Sequence, residues 1–145
     1  MEEVRVVLAD DHAGVRKGIR SVLERASGIR VIGEAVNGVE AIERVRELDP
    51  DVLVLDMEMP VLDGLGVIEQ IAREETSVKI LVLSAYNEPH YIDGVLDYGV
   101  AGYITKDEVP QQLVESIRKV ADGQEGVFSR NVEKIVAERR SKRET

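Results

Sequence analysis

Five side chains in this sequence have the types and spacing to do chemistry together: Asp10, Asp11, Asp56, Ser84 and Lys106. Each comes at the end of a short apolar run. Val4 to Ala9 leads into Asp10-Asp11, and Val52-Leu53-Val54-Leu55 into Asp56. Ile80-Leu81-Val82-Leu83 leads into Ser84, and Ala101 to Thr105 into Lys106. Three clustered carboxylates repel one another unless a cation joins them, and a hard divalent ion such as magnesium is held by a few carboxylate oxygens plus waters. A lysine adds a point charge and a hydroxyl adds a donor, both suited to phosphate oxygens. Asp56 itself could hold the metal, accept a proton or act as a nucleophile, and a carboxylate can take up a phosphoryl group as an aspartyl phosphate. The set describes a phosphoryl site, provided the chain brings the five run-ends to one place.

The elements that would do so are legible. Continuous apolar runs suit strands buried on both faces, and they fall at residues 4–9, 30–35, 52–56, 78–84 and 101–105. Helical spacing marks the segments between them: Val15, Ile19, Val22, Leu23 and Ala26; Val39, Ile42, Val45 and Leu48; Leu65, Ile68 and Ile71; Tyr91, Val95 and Tyr98; Leu113, Val114, Ile117, Val120 and Ala121. Pro110 suits the first turn of the last helix. Turns are marked by Ser27-Gly28, Asn37-Gly38, Asp49-Pro50, Asp63-Gly64 and Gly99. Strand then helix, five times over, predicts an α/β fold: a five-stranded parallel sheet with helices on both faces. Ligands of such sheets bind beyond the carboxyl ends of the strands, where all five groups would converge.

Taken singly, each group has a plainer role. Asp10-Asp11 could cap the first helix, Asp56 could be a turn residue, Ser84 and Lys106 could be surface residues, and Tyr103 could be packing. Their joint placement on strands one, three, four and five carries the weight.

Composition excludes other classes. The 145 residues fit one domain. The net charge of -9 opposes nonspecific binding to nucleic acid by the chain as a whole. No cysteine is present, so thiolate, disulfide and Cys-zinc chemistry are ruled out. Neither a signal peptide nor a long apolar span is seen, which reads as a cytoplasmic protein. No Gly-rich phosphate loop follows the first strand, which excludes a P-loop or dinucleotide protein.

These residues resemble the receiver domain of bacterial two-component response regulators over about residues 4–123. The resemblance rests on Asp10-Asp11, Asp56 with Met59-Pro60 and Asp63-Gly64, Ser84-Ala85, and Lys106 preceded by Tyr103. Finer features resemble the NarL/FixJ class: Ala9-Asp10-Asp11-His12, Arg16 with Gly18, Gly33-Glu34-Ala35, Asn37-Gly38, and Gly102-Tyr103-Ile104. The resemblance implies a flavodoxin-like sheet in order 2-1-3-4-5 and a phosphorylation-dependent switch rather than an enzyme. Asp56 would accept the phosphoryl group from a sensor histidine kinase. Asp11, Asp56 and the Glu58 backbone carbonyl would hold magnesium, with Asp10 acting through water. Lys106 and Ser84 would contact the phosphoryl group, and Ser84 with Tyr103 would form the switch pair. Glu58 and Tyr86 would tune the lifetime of the phosphoryl group. His12 reads as a loop residue lining the site, and His90 as solvated.

The receiver domain is expected at residues 1–124. Residues 125–145 are expected to form a linker helix, capped by Ser129 with a short stripe of Val132, Ile135 and Val136, and then a frayed, charged tail. The class carries a C-terminal helix-turn-helix, absent from these residues, so DNA contact is expected only through such a domain and phosphorylation is expected to favour a homodimer. Two rival readings remain: a stand-alone receiver acting through protein contacts, and an aspartyl-phosphate phosphohydrolase. Against the second, the position two after the nucleophile is Glu58, not a second Asp.

Overall fold

The computed structural model describes residues 3–85, 91–110 and 112–144, excepting the side chains of Tyr91, Arg143 and Glu144. The apolar runs become β1 (Val4–Ala9), β2 (Ile29–Ala35), β3 (Val52–Asp56), β4 (Lys79–Ser84) and β5 (Gly102–Thr105), parallel throughout and ordered β2-β1-β3-β4-β5. A sixth strand, β6 (Val127–Phe128), pairs in parallel with β5, so the sheet has six strands where the sequence reading expected five. Two residues are too few for any periodicity to show. What admits them is Gly102: a β-carbon there would stand 2.7 Å from the Val127 carbonyl oxygen and 2.7 Å from Leu81 Cδ1.

Among the described residues six α-helices cover the sheet: α1 (Ala13–Glu24), α2 (Gly38–Leu48), α3 (Gly64–Ala72), α4 (Tyr91–Asp97), α5 (Leu113–Ala121) and α6 (Arg130–Glu144). Successive strand residues point to opposite faces, and both faces are buried, which is why the runs read as unbroken apolar sequence. Val6, Leu8, Val52, Val54, Leu81, Leu83 and Ile104 pack with residues of α1 and α5. Val7, Leu53, Leu55, Ile80, Val82 and Tyr103 pack with residues of α2, α3, α4 and α6.

Local chemistry sets the helix starts. Asn37 Oδ1 accepts from the Glu40 amide at 2.9 Å, and Glu40 Oε1 reaches back to the Val36 amide at 3.1 Å, a reciprocal cap for α2. Asp63 Oδ1 accepts from the Gly66 amide at 2.9 Å and caps α3. Gly64 lets that helix begin hard against the end of β3. A β-carbon at Gly64 would lie 2.7 Å from Met57 Cα and 2.8 Å from the Asp56 carbonyl oxygen.

Three expectations shift. The buried face of α4 is Ile92 and Val95, while Tyr98 lies past its end and is exposed. Pro110 falls in the turn before α5, whose cap is Gln112. The expected frayed tail is helical through Glu144. Its stripe is too small to found a core of its own, but it joins the existing one: Val132 and Val136 are buried in the same cluster as Ile92, Val95 and Tyr103. Burial of a valine contributes roughly 1.5–3 kcal/mol, so these two side chains account for the docking of α6. Val132→Ala should therefore lower unfolding free energy by about 2 kcal/mol, the loss of two buried methyl groups plus a cavity. Glu138→Ala, on the exposed side of α6, should change it by less than about 0.5 kcal/mol. Equal, near-zero effects in urea unfolding would show that α6 is not part of the core.

Candidate functional site

Strand alternation decides which way the site residues face. Asp10, Asp56 and Lys106 continue the alternation of Leu8, Val54 and Ile104, which lie on the α1 and α5 side. All three turn to the same side of the sheet's carboxyl edge, and there they meet. Lys106 Nζ stands 3.2 Å from Asp10 Oδ2 and 3.2 Å from Asp56 Oδ1. Asp10 and Asp56 are buried, 3% and 2% exposed, whereas Asp11 faces outward. Asp10 Oδ1 accepts from the His12 amide at 2.9 Å, and Asp56 Oδ1 accepts from the Glu58 amide at 3.3 Å. Asp56 Oδ2 is buried and has no hydrogen-bond partner among the described residues.

These contacts set the charge states. Burial is the largest influence on Asp56 and raises its pKa. The Lys106 charge pulls it down and Asp10 pushes it up again, and the balance stays above the ordinary carboxylate value. For Lys106, burial alone would favour the neutral amine. Asp56 and Asp10 outweigh that and hold the ammonium above the usual lysine pKa.

Asp10, Asp11, His12 and Asp56 each place a ligand atom within 4.8 Å of the others. His12 Nδ1 lies 3.0 Å from Asp11 Oδ1 and 3.4 Å from Asp10 Oδ1, on a ring that is largely exposed. A hard divalent ion fits the three carboxylates of this set, whose donors are oxygens, and the buried Asp56 Oδ2 has no hydrogen-bond partner among the described residues. The acid pair does not cap α1 by side chain. Its cap residue is His12, which makes no side-chain cap bond, and Asp10 instead braces the turn between β1 and α1.

Ser84, Tyr103 and Thr105 have the opposite parity. Ser84 is buried beside Thr105 in the β4–β5 register, and its hydroxyl donates to the neighbouring Ala85 carbonyl at 3.4 Å. It stands at the expected strand end but is bonded away from Asp56. Tyr103 is already buried, at 1% exposure, among Ile92, Val95, Val132 and Val136. Glu58 lends its amide to Asp56. Tyr86 and His90 lie outside the described residues.

Two supports went unread in the sequence. Arg16, noted only as a class feature, donates Nη1 to the Asp10 carbonyl at 2.7 Å and Nε to Glu34 at 3.3 Å; Glu34 also takes Arg20 Nη1 at 2.6 Å. The available signal was a basic residue one turn into the helix that follows the acid pair. Asn131 Nδ2, on α6, donates to Thr105 Oγ1 at 3.0 Å and to Asp107 Oδ2 at 3.2 Å. No local pattern could announce a contact between residues so far apart in sequence.

The raised pKa of Asp56 makes its ionised form a cost to the fold. The folded chain holds this proton more tightly than the unfolded chain. Stability from this group is therefore greatest below the ordinary carboxylate pKa and falls as pH rises through the window up to the raised value. Asp56→Asn should raise the thermal midpoint by a few degrees at pH 7, with the gain shrinking as pH is lowered below about 4. An unchanged or lowered midpoint at pH 7 would contradict this balance.

Comparison with known proteins places the chain in a family. Residues 6–118 match the family described as the response regulator receiver domain. The chain is 41% identical over 126 residues to the response regulator UvrY of Escherichia coli K12, covering 87% of this chain and 58% of UvrY. It thus spans little more than half the length of that relative. A solved two-component response regulator of the LuxR family from Aurantimonas sp. SI85-9A1 superposes with a TM-score of 0.89 at 30% identity, covering 97% of this chain and 99% of that one. The isolated receiver domain of RcsB from Salmonella enterica serovar Typhimurium, solved with the phosphomimetic BeF3-, superposes with a TM-score of 0.83 at 31% identity, covering 92% and 99%. The receiver fold expected from the sequence is the fold found, and this chain belongs to the response regulator receiver domain family, in its NarL/FixJ (LuxR) class.

Proposed function

We propose that the chain is a phosphorylation-dependent signalling switch in which Asp56 takes a phosphoryl group from the phosphohistidine of a sensor kinase. The observation that carries this is the pair of buried carboxylates, Asp10 and Asp56, joined by the half-buried Lys106, with Asp56 Oδ2 unclaimed by any described donor. The RcsB receiver, similar in fold, was solved with a phosphoryl mimic, which supports the same use of this site.

In the transfer, a carboxylate oxygen of Asp56 forms a bond to phosphorus while the bond from phosphorus to the kinase histidine breaks, leaving an acyl phosphate and a neutral imidazole. Magnesium, when bound, would neutralise the developing charge on the phosphoryl oxygens. Asp11 and Asp56 would hold it with the Glu58 carbonyl, and Asp10 would act through water. Lys106 would leave the carboxylates to follow the phosphoryl oxygens as a point charge, and Ser84 would rotate from Ala85 to donate to one of them. Tyr103 is buried beforehand, so the signal would pass through what covers it rather than through burying an exposed ring. The chain would serve as a phosphoacceptor and not as an enzyme with turnover on a separate substrate.

A sensor kinase as partner, a homodimer favoured by phosphorylation and a cytoplasmic location follow from this class reading. Among the described residues no helix is long and apolar enough to cross a membrane. A helix-turn-helix output domain beyond these residues, controlling transcription, is proposed on the class resemblance, with α6 as its linker.

Incubation with acetyl phosphate and magnesium should add one phosphoryl group by intact mass, and Asp56→Asn should add none. Asp11→Ala should slow the magnesium-dependent reaction by roughly 100-fold or more, the scale for losing one electrostatic partner of a transition state. Equal labelling of Asp56→Asn would move the acceptor elsewhere.

A further inference from the structure

The segment after Gly126 makes three kinds of contact with the end of β5, the strand that carries Tyr103 and leads into Lys106. Its backbone extends the sheet: Val127 pairs with Gly102 and Phe128 with Tyr103, and the Ser129 amide donates to the Tyr103 carbonyl at 3.2 Å. Its apolar stripe covers the ring, since Val132 and Val136 are buried in the cluster that holds Tyr103. A polar grip falls on the residues flanking Lys106: Asn131 Nδ2 donates to Thr105 Oγ1 at 3.0 Å and to Asp107 Oδ2 at 3.2 Å. Thr105 Oγ1 passes the chain on to Glu108 Oε1 at 2.6 Å. Farther along α6, Arg139 pairs with Asp93 of α4, a partly exposed pair that adds little on its own. A free linker would make none of these bonds.

We propose that β6 and the first half of α6 form a strap whose docking is coupled to the state of Asp56, with Asn131 as the positioning residue that links the two. The inference rests on the phosphoacceptor reading and adds a regulated element to it. Lys106 has one ammonium for two carboxylates, and an arriving phosphoryl group draws it away from Asp10 and Asp56. Thr105 and Asp107 are its chain neighbours on either side, so any backbone movement of Lys106 that accompanies the pull reaches both. Asn131 holds both, and its bond to Asp107 is already at the long end of the hydrogen-bond range. The phosphorylated site therefore weakens the grip of α6 and raises the population with the strap undocked, uncovering Tyr103 and the β5 edge. Linkage makes the effect mutual: whatever loosens the strap favours the phosphorylated state by the same factor.

The test uses the whole 145-residue chain. Hydrogen exchange by mass spectrometry, with and without acetyl phosphate and magnesium, should show residues 127–140 losing protection when intact mass confirms the adduct. Peptides from β1 and β3 should keep theirs. Asn131→Ala should show the same loss without phosphodonor and should bind beryllofluoride with magnesium about fivefold more tightly than the parent chain, the low end of typical coupling. A purely structural asparagine would not alter beryllofluoride affinity. A phosphorylated chain whose residues 127–140 stay equally or better protected overturns the strap, as does an Asn131→Ala chain with unchanged beryllofluoride affinity. Absence of the adduct is a different result: it overturns the phosphoacceptor reading, and the strap falls with it.

Discussion

At the carboxyl edge of the sheet one ammonium answers two buried carboxylates, and a third carboxylate stands close by. Lys106 is the member that cannot be spared, since its loss would leave both buried carboxylates without a cation, and stranding a buried charge in this way costs about 3–5 kcal/mol. Their charges still do not cancel. The surplus is negative, and it makes the pocket a place where a cation is welcome and where Asp56 resists ionisation. Burial of Asp10 and Asp56 themselves limits how far water can relieve the imbalance. Nearby positive ends help: the first turn of α1 carries no acid of its own, so the partial positive charge at its start is answered by Asp10 and Asp11 just before it. Arg16 then ties the Asp10 carbonyl to Glu34 and fixes the turn.

Much of this was written plainly in the chain. Asp10, Asp56 and Lys106 could be found because each follows an apolar run, and their common facing can be worked out by counting in twos from Leu8, Val54 and Ile104. The same count places Ser84 on the other side. Position at a strand end was legible for Ser84, while its hydrogen bond to Ala85 depends on a rotatable hydroxyl that sequence does not constrain.

Other parts were hidden for physical reasons. β6 is two residues long, and its pairing depends on the bare backbone of Gly102, 25 residues before Val127 in the chain. The stripe of Val132, Ile135 and Val136 was read correctly as helical. It was weighed as a core of its own, and its use as the last cover of an existing core is a tertiary fact. In α4 the spacing found Val95 but missed Ile92 beside it and added Tyr98, which lies past the helix end and is exposed, because an aromatic at helical spacing reads as buried whether or not the helix reaches it.

The burial of Val132 and Val136 also bears on how such chains can be recombined. Receiver domains invite grafting, one sensor half joined to a different output half, and Gly126 with its left-handed backbone looks like the natural seam. A chimera cut there would take its β6 and α6 from a foreign sequence. It would then need a valine-like stripe and an asparagine in register with Thr105, or it would inherit an open sheet edge and a gap over Tyr103. A seam placed beyond Arg139 instead keeps the native cover with the native core, and lets the graft begin where Arg140, Ser141 and Lys142 are exposed.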